Sequence, residues 1–122
     1  MELWALSRRR QEFFLPYIYM VRHMDDDEIT IFEWDEVKNL LNQDKHGVSF
    51  EQARYAFADP NRVIFADTDH SVDEERLFCL GMAGDGVMTV RFTYRAKRIR
   101  IFGAGYWRKG KGIYDHERRS LH

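Results

Sequence analysis

The chain has 122 residues, 44% hydrophobic and 15% aromatic, which supports one folded domain and excludes disorder throughout. Its net charge of −1 conceals an asymmetry. Residues 1–90 carry nine Lys/Arg against eighteen Asp/Glu, whereas residues 91–122 carry ten against two. A basic C-terminal segment of this kind indicates a surface that binds phosphate or an acidic partner. The same excess of Lys and Arg also arises when the cations are scattered over solvated faces. The single cysteine, Cys79, excludes an internal disulfide and is predicted to be a small core residue.

The first 23 residues differ from the rest of the chain, because they show no clean hydrophobic period and end before the acidic run at residues 25–28. We predict that residues 1–23 are an N-terminal extension, either disordered or produced by an upstream start, and that residues 24–122 form the domain. The apolar run at residues 13–21 contains Pro16 and lacks a signal-peptide cleavage motif. No stretch is long enough to span a bilayer, so we expect a cytoplasmic protein with no membrane partner.

A strand at residues 29–33 is predicted to lead into a first helix, capped by Asp35 and running to about Lys45. Gly47 sits where a glycine commonly ends a helix in the left-handed conformation. Helical spacing assigns four apolar residues to one buried stripe: Trp34, Val37, Leu40 and Leu41.

A second helix is predicted to begin at Ser49, because Ser49 and Gln52 have the spacing of a capping box. Phe50, Ala53 and Phe57 form its predicted buried stripe. Pro60 ends it, since proline cannot continue a helix and restricts the residue before it.

Beyond the second helix the period changes to two, which predicts four strands joined by tight turns at residues 84–86 and 95–97. A short C-terminal helix is predicted at residues 114–121. The fold class is therefore α+β: an antiparallel meander sheet, two N-terminal helices on one face and a short C-terminal helix. The strands are predicted at residues 62–67, 76–82, 87–94 and 98–104.

The segment 105–112 reads G-x-x-x-x-G-K and resembles a phosphate-binding loop, but Gly112 replaces the Ser/Thr that would hold Mg²⁺. We interpret it as a basic, glycine-rich loop with Tyr106 and Trp107 as stacking platforms for single-stranded RNA. The alternative is that both rings pack the last helix onto the sheet. The acidic segment 67–75 lacks the glycine and glutamate of a calcium loop, so no metal site is predicted.

Arginines recur on the last two predicted strands. Alternation gives Arg91 and Arg95 one face, and Arg98 and Arg100 likewise share a face. Two neighbouring strands presenting arginines can clamp a phosphate and stabilise the charge that builds on a pentavalent phosphorane, or they can simply form a polar outer face.

A resemblance narrows these possibilities. The block Phe32–Asp67, with its W-D-x-x-K-N, K-H-G-V-S-F-E-x-A and D-P-N-R segments, resembles the BrnT-type toxins of bacterial type II toxin–antitoxin systems. The resemblance continues through T-D-H-S-V-D-E-E-R at residues 68–76 and ends near Ala104. It implies a RelE-like ribonuclease fold and cleavage of RNA without metal or other cofactor. It also implies neutralisation by a BrnA-like antitoxin that binds DNA. The toxin itself would then be linked to DNA only through that antitoxin.

Ten positions match the family pattern. Five of them receive no role: Trp34, Asp35, Lys38, Gly47 and Arg76. Among the matching positions the resemblance implies base or acid roles for His46 and Glu75, and a phosphate clamp for Lys45, Arg95 and Arg100. Family members commonly carry an arginine where this chain has Gly105, which puts activity in question unless Arg108 replaces it. The predicted RNA-binding residues are Lys45, Arg98, Tyr106, Trp107, Arg108, Lys109 and Lys111. The alternatives are a non-catalytic RNA- or protein-binding module of the same fold and a small DNA-associated regulator.

Overall fold

The computed structural model describes residues 17–22 and 29–120. Six strands and three α-helices account for most of them. The strands are β1 Tyr17–Arg22, β2 Ile29–Trp34, β3 Val63–Ala66, β4 Leu77–Ala83, β5 Gly86–Arg95 and β6 Arg98–Gly105. The helices are α1 Glu36–His46, α2 Phe50–Ala53, which continues as a 3-10 helix over Arg54–Ala58, and α3 Arg108–Ser120; a 3-10 turn covers Thr68–His70.

The strands form one mixed sheet in the order β1-β2-β6-β5-β4-β3. Strands β3 to β6 are an antiparallel meander, as predicted. The prediction of a purely antiparallel sheet does not extend to β2, which pairs in parallel with β6 and aligns Glu33 with Arg100. Both helices and three strands separate β2 from β6 in sequence, so no local pattern indicates this pairing.

The N-terminal strand β1 pairs antiparallel with β2, from Tyr17 opposite Trp34 to Arg22 opposite Ile29. Residues 17–22 of the predicted extension therefore lie along the edge of the sheet. The remainder of that extension, and the proposed boundary at Met24, lie outside the described residues.

Helix α1 begins and ends as predicted. Asp35 accepts hydrogen bonds from the backbone of Val37 and Lys38, and Gly47 adopts the left-handed conformation at φ 73°. The predicted buried stripe is wrong, however, because its three helical members, Val37, Leu40 and Leu41, are each more than half exposed.

Two asparagines form the inner face of α1 instead. Asn42 donates to the carbonyls of Val48 and Ala104 and accepts from the Ala104 amide, while Asn39 accepts from the Phe50 amide. Polar side chains can occupy this face because their hydrogen-bonding groups are satisfied by buried backbone.

Helix α2 has the predicted capping box between Ser49 and Gln52, and its predicted core residues Phe50, Ala53 and Phe57 are buried. After Ala53 the segment tightens into the 3-10 helix that packs on β4, where a side chain on Gly81 would collide with the Ala56 backbone. The predicted core position of Cys79 is confirmed, and burial raises the pKa of its thiol to about 12.

Helix α3 begins at Arg108, six residues before the predicted start, so residues 108–112 are helical and not part of a loop. Tyr114 fixes the helix, because its buried hydroxyl donates to Asp59 at 2.5 Å. Gly110 lets the helix approach β5, since a side chain there would collide with Thr89. The predicted final residue, Leu121, lies outside the described residues.

Candidate functional site

The strand register confirms that the arginines of β5 and β6 share one face of the sheet. Arg95 lies directly opposite Arg98, and Thr93 lies opposite Arg100. Arg91 pairs with Gly103 on the same side, and its guanidinium lies over that glycine. We call this surface the arginine face; it comprises Arg91, Arg95, Arg98 and Arg100 together with Lys38 of α1 and Arg76, which precedes β4.

A β-bulge shapes the centre of the arginine face. The register shifts between Arg91 and Phe92, which leaves Phe102 of β6 as the extra residue. The guanidinium carbon of Arg76 lies 4.2 Å from the centre of the Phe102 ring, and the ammonium of Lys38 lies 5.7 Å from it. Both distances are typical of cation–π contacts, so the ring gathers cations from two elements of the fold.

Carboxylates pair with three of the arginines at the margin of the face. Glu33 of β2 bridges Arg98 at 3.4 Å and Arg100 at 3.5 Å. The Arg100 side chain is only 4% exposed. Burial lowers the pKa of its guanidinium, and the charge of Glu33 opposes that shift. Arg100 therefore has little surface of its own to offer a ligand.

The predicted residue Glu75 approaches this margin through its backbone. Its carbonyl accepts a hydrogen bond of 2.5 Å from the Thr93 hydroxyl, while its side chain is exposed. The neighbouring Glu74 is the carboxylate that meets Arg95, whose Nη2 lies 2.9 and 3.0 Å from its two oxygens.

The remaining three cations of the arginine face differ from these. Lys38, Arg76 and Arg91 form no ion pair with a carboxylate within the ranges that the structure describes. Lys38 is exposed as a residue, but its ammonium is crowded. Partial burial lowers its pKa most, Asp35 opposes that shift, and the positive charges of Arg100, Arg76 and Arg91 lower it further.

His46 lies elsewhere on α1. Its ring packs edge-on against Trp107, with ring centres 5.1 Å apart, and the exposed Lys45 precedes it. His46 is two helical turns beyond Lys38, about 12 Å farther along the helix axis. The structure thus groups Arg95, Arg98 and Arg100, with the Glu75 backbone beside them, and does not bring His46 into that group.

The predicted aromatic and basic residues near the C-terminus line a second, open cleft of about 780 Å³, which we call the Trp107 cleft. Tyr106, Trp107, Arg108 and Lys111 face it, whereas Lys109 borders a small apolar cavity on the other side of the helix. Tyr106 is held by a 2.6 Å hydrogen bond to the Ala83 carbonyl. Trp107 packs so closely on Gly105 that a side chain there would lie 2.6 Å from its ring, which leaves no room for an arginine at that position.

Sequence reasoning missed several residues of the arginine face. Lys38 and Arg76 matched the family pattern but received no role, and Phe102, Glu33 and Glu74 were not singled out. Alternation along β6 runs from Arg98 and Arg100 to Phe102, so the sequence did carry a signal for this residue; only after it does the bulge shift the register.

The described residues offer neither a metal-binding cluster nor a membrane-spanning helix. Across residues 29–120, no group of three His, Cys, Asp or Glu side chains could hold a metal ion. None of the helices in the described part of the chain is long and apolar enough to cross a membrane.

Comparison with known families decides the assignment. A family model described as "Ribonuclease toxin, BrnT, of type II toxin-antitoxin system" matches residues 34–110, more than half of the chain. The protein belongs to the BrnT ribonuclease toxin family. The match spans α1 and β3 to β6, and therefore all cations of the arginine face, which confirms the resemblance noted in the sequence. Family membership also implies an antitoxin partner. A search of curated proteins found no match.

Proposed function

We propose that this BrnT-family toxin is a metal-independent endoribonuclease in which the ribose 2′-hydroxyl attacks the adjacent phosphate. The observation that supports this is the convergence of Lys38 and Arg76 on Phe102, with Arg91 over the adjacent Gly103, without a carboxylate ion pair in the described residues. Like charges repel when they are brought together, so a cluster of this kind is stabilised by a bound anion. A phosphodiester supplies such an anion, and its neighbouring base can stack on an exposed ring.

The arginine face offers the charge stabilisation that this reaction needs. Guanidinium groups donate hydrogen bonds to non-bridging phosphate oxygens, and these interactions strengthen as charge builds in the transition state. Arg91 and Arg76 are the half-buried donors at the centre, while Arg95 and Arg98 flank them. The buried Arg100 contributes through its field and by fixing Glu33, which in turn orients Arg98.

The base is assigned from the two residues predicted for proton transfer. Glu75 is the better placed, because its backbone is fixed to Thr93 beside Arg100 and its carboxylate is exposed. His46 lies beside the Trp107 cleft, where with Lys45 it would contact a neighbouring nucleotide. Tyr106 and Trp107 would stack bases there, and Arg108 and Lys111 would hold the backbone.

Metal independence is supported by the charge of the site. Six cations outnumber the three carboxylates whose charges act on them, Glu33, Glu74 and Asp35, and give a local field that repels divalent cations. We therefore expect full activity of the purified protein in the presence of EDTA. An activity that disappears with EDTA and returns with Mg²⁺ would contradict this part of the proposal.

The central experiment is cleavage of single-stranded RNA by the purified protein, with 2′-O-methylated RNA as the substrate that lacks the nucleophile. We expect cleavage of the first, yielding 2′,3′-cyclic phosphate ends, and binding without cleavage of the second. Arg91→Ala should slow cleavage by about 100-fold. Arg119→Ala is the matched control, because it deletes an exposed cation on α3, and it should retain the wild-type cleavage rate.

The same assay tests the alternative of a non-catalytic binding module. The observation that favours the alternative is Gly105, because Trp107 fills the space that the family arginine would need. Binding of unmodified RNA with no cleavage at any concentration would support the module and overturn the proposed ribonuclease.

We propose further that the antitoxin is BrnA-like and DNA-binding, and that it covers the exposed stripe of Val37, Leu40 and Leu41 on α1. Exposed apolar stripes of this kind mark protein interaction sites, and Leu41 lies one turn after Lys38, so a partner seated there would also block the arginine face. Leu40→Asp should abolish neutralisation by the antitoxin while leaving RNA cleavage intact. If this variant is still neutralised at wild-type antitoxin levels, the antitoxin binds elsewhere.

A further inference from the structure

We propose that Lys38 is the general acid of the cleavage reaction and donates a proton from Nζ to the 5′ oxygen that leaves phosphorus. The inference rests on the ribonuclease activity proposed above and names a catalytic residue for it. Its basis is the position of Lys38 in the arginine face, where it shares the Phe102 ring with Arg76 and lies close to Arg91.

Position makes Lys38 the available proton donor. Its ammonium lies 5.7 Å from the centre of the Phe102 ring, where Arg76 also converges, so a phosphate bound by the central cations would lie within its reach. His46, the histidine predicted for proton transfer, is about 12 Å farther along the helix axis. A single phosphate held by Arg91 therefore meets Lys38 and not His46.

Chemistry also singles out Lys38 among the cations. A guanidinium does not release its proton under physiological conditions, so the arginines can stabilise charge but cannot act as acids. An ammonium can, and a lysine near other cations is a stronger acid than a free one. Burial and the charges of Arg100, Arg76 and Arg91 act in this direction.

Asp35 keeps the ammonium protonated in the resting enzyme. It is the N-cap of α1 and is almost fully buried; Oδ1 accepts the backbone hydrogen bonds of Val37 and Lys38. Its other oxygen, Oδ2, has no hydrogen-bond partner within residues 29–120. The negative charge of Asp35 raises the pKa of Lys38 against the other influences, so the proton is held but can be released.

Protons and electrons balance in this step. The 2′ oxygen attacks phosphorus as its proton passes to the Glu75 carboxylate, and the bond between phosphorus and the 5′ oxygen breaks with its electron pair on that oxygen. The oxygen takes the proton of Lys38, which gives a 5′-hydroxyl and a 2′,3′-cyclic phosphate. Lys38 then regains a proton from water, and Glu75 loses one to it.

The test compares wild-type protein and Lys38→Arg on two RNAs that differ in one atom. One carries the ordinary 5′ oxygen at the mapped cleavage position, and the other carries sulfur there, because a thiolate leaves without being protonated. Lys38→Arg keeps the positive charge and removes the transferable proton. We expect it to cleave the oxygen substrate about 100-fold more slowly and the sulfur substrate at nearly the wild-type rate. Lys97→Arg, in the exposed turn between β5 and β6, is the matched control and should equal wild type on both.

A pH profile supplies a second readout. With the oxygen substrate the wild-type rate should fall on the alkaline side, at a pH below the ordinary lysine pKa of 10.5, as Lys38 loses its proton. The sulfur substrate should not show this fall. Equal losses by Lys38→Arg on both RNAs, or no loss on either, would overturn the acid role while leaving the ribonuclease proposal intact. A wild-type protein that leaves both RNAs whole would overturn both.

Discussion

Replacing Asn42 with alanine should destabilise the protein far more than replacing its apolar neighbour Leu41. Asn42 is buried and makes three hydrogen bonds to backbone groups: 2.9 Å to the Val48 carbonyl, 2.9 Å to the Ala104 carbonyl and 3.2 Å from the Ala104 amide. Each such bond contributes about 1 kcal/mol, and burying its partner unsatisfied costs at least as much. Alanine regains at most about 0.7 kcal/mol in helix propensity. We therefore expect a loss of roughly 2–3 kcal/mol in the free energy of unfolding.

Leu41→Ala is the matched control on the same helix. Its side chain is 56% exposed, so the change should stay within about 0.5 kcal/mol. Urea unfolding followed by circular dichroism measures both, and an unchanged m-value would show that only stability has changed. If Leu41→Ala costs as much as Asn42→Ala, then the apolar stripe of α1 is buried in solution and Asn42 does not define the inner face of the helix.

Three further outcomes are expected. Burial would raise the pKa of Asp59, but hydrogen bonds from Met82, Tyr114 and Asn61 lower it below 3.8. In urea unfolding, the wild-type protein should therefore be more stable than Asp59→Asn above pH 3.8, and this difference in unfolding free energy should shrink at lower pH. A difference that stays constant with pH would contradict this account. Gly103→Ala places a carbon 2.9 Å from the Arg91 guanidinium, which must then move. Fluorescence anisotropy should show several-fold weaker RNA binding by this variant, with its melting temperature unchanged. An RNA affinity equal to that of the wild type would exclude Arg91 from the site. Lys97 has a φ of 65°, which glycine adopts without strain, so Lys97→Gly should raise the free energy of unfolding in urea by about 1 kcal/mol. A lower free energy of unfolding would mean that contacts of the Lys97 side chain outweigh this backbone strain.

Local signals predicted the helix boundaries well. Asp35, Gly47 and the pair of Ser49 and Gln52 act on backbone groups within a few residues, so their roles follow from sequence alone. The buried face of α1 did not follow, because helical spacing identifies an apolar stripe but not what lies opposite it. Here the opposing surface is backbone, which selects Asn42 over Leu41.

The sheet was predictable where neighbouring strands are joined by tight turns. Alternation correctly gave Arg91, Arg95, Arg98 and Arg100 a shared face, since the turn at Ala96 and Lys97 fixes the register. Pairing of β2 with β6 was not predictable, because it joins segments some 65 residues apart. The carboxylate that fixes Arg100 was missed for the same reason.

That long-range pairing divides the arginine face into two functional classes. Glu33 holds Arg98 and Arg100, and Glu74 holds Arg95, so the cations that sequence made most conspicuous are already neutralised in part. Lys38, Arg76 and Arg91 come from three separate elements; the first two lie against the Phe102 ring, and Arg91 lies over the adjacent Gly103. Uncompensated cations attract an anion more strongly than paired ones, since no carboxylate must be displaced first. The proposed cleavage is therefore better sought around Phe102 than at the paired arginines or at the distant His46.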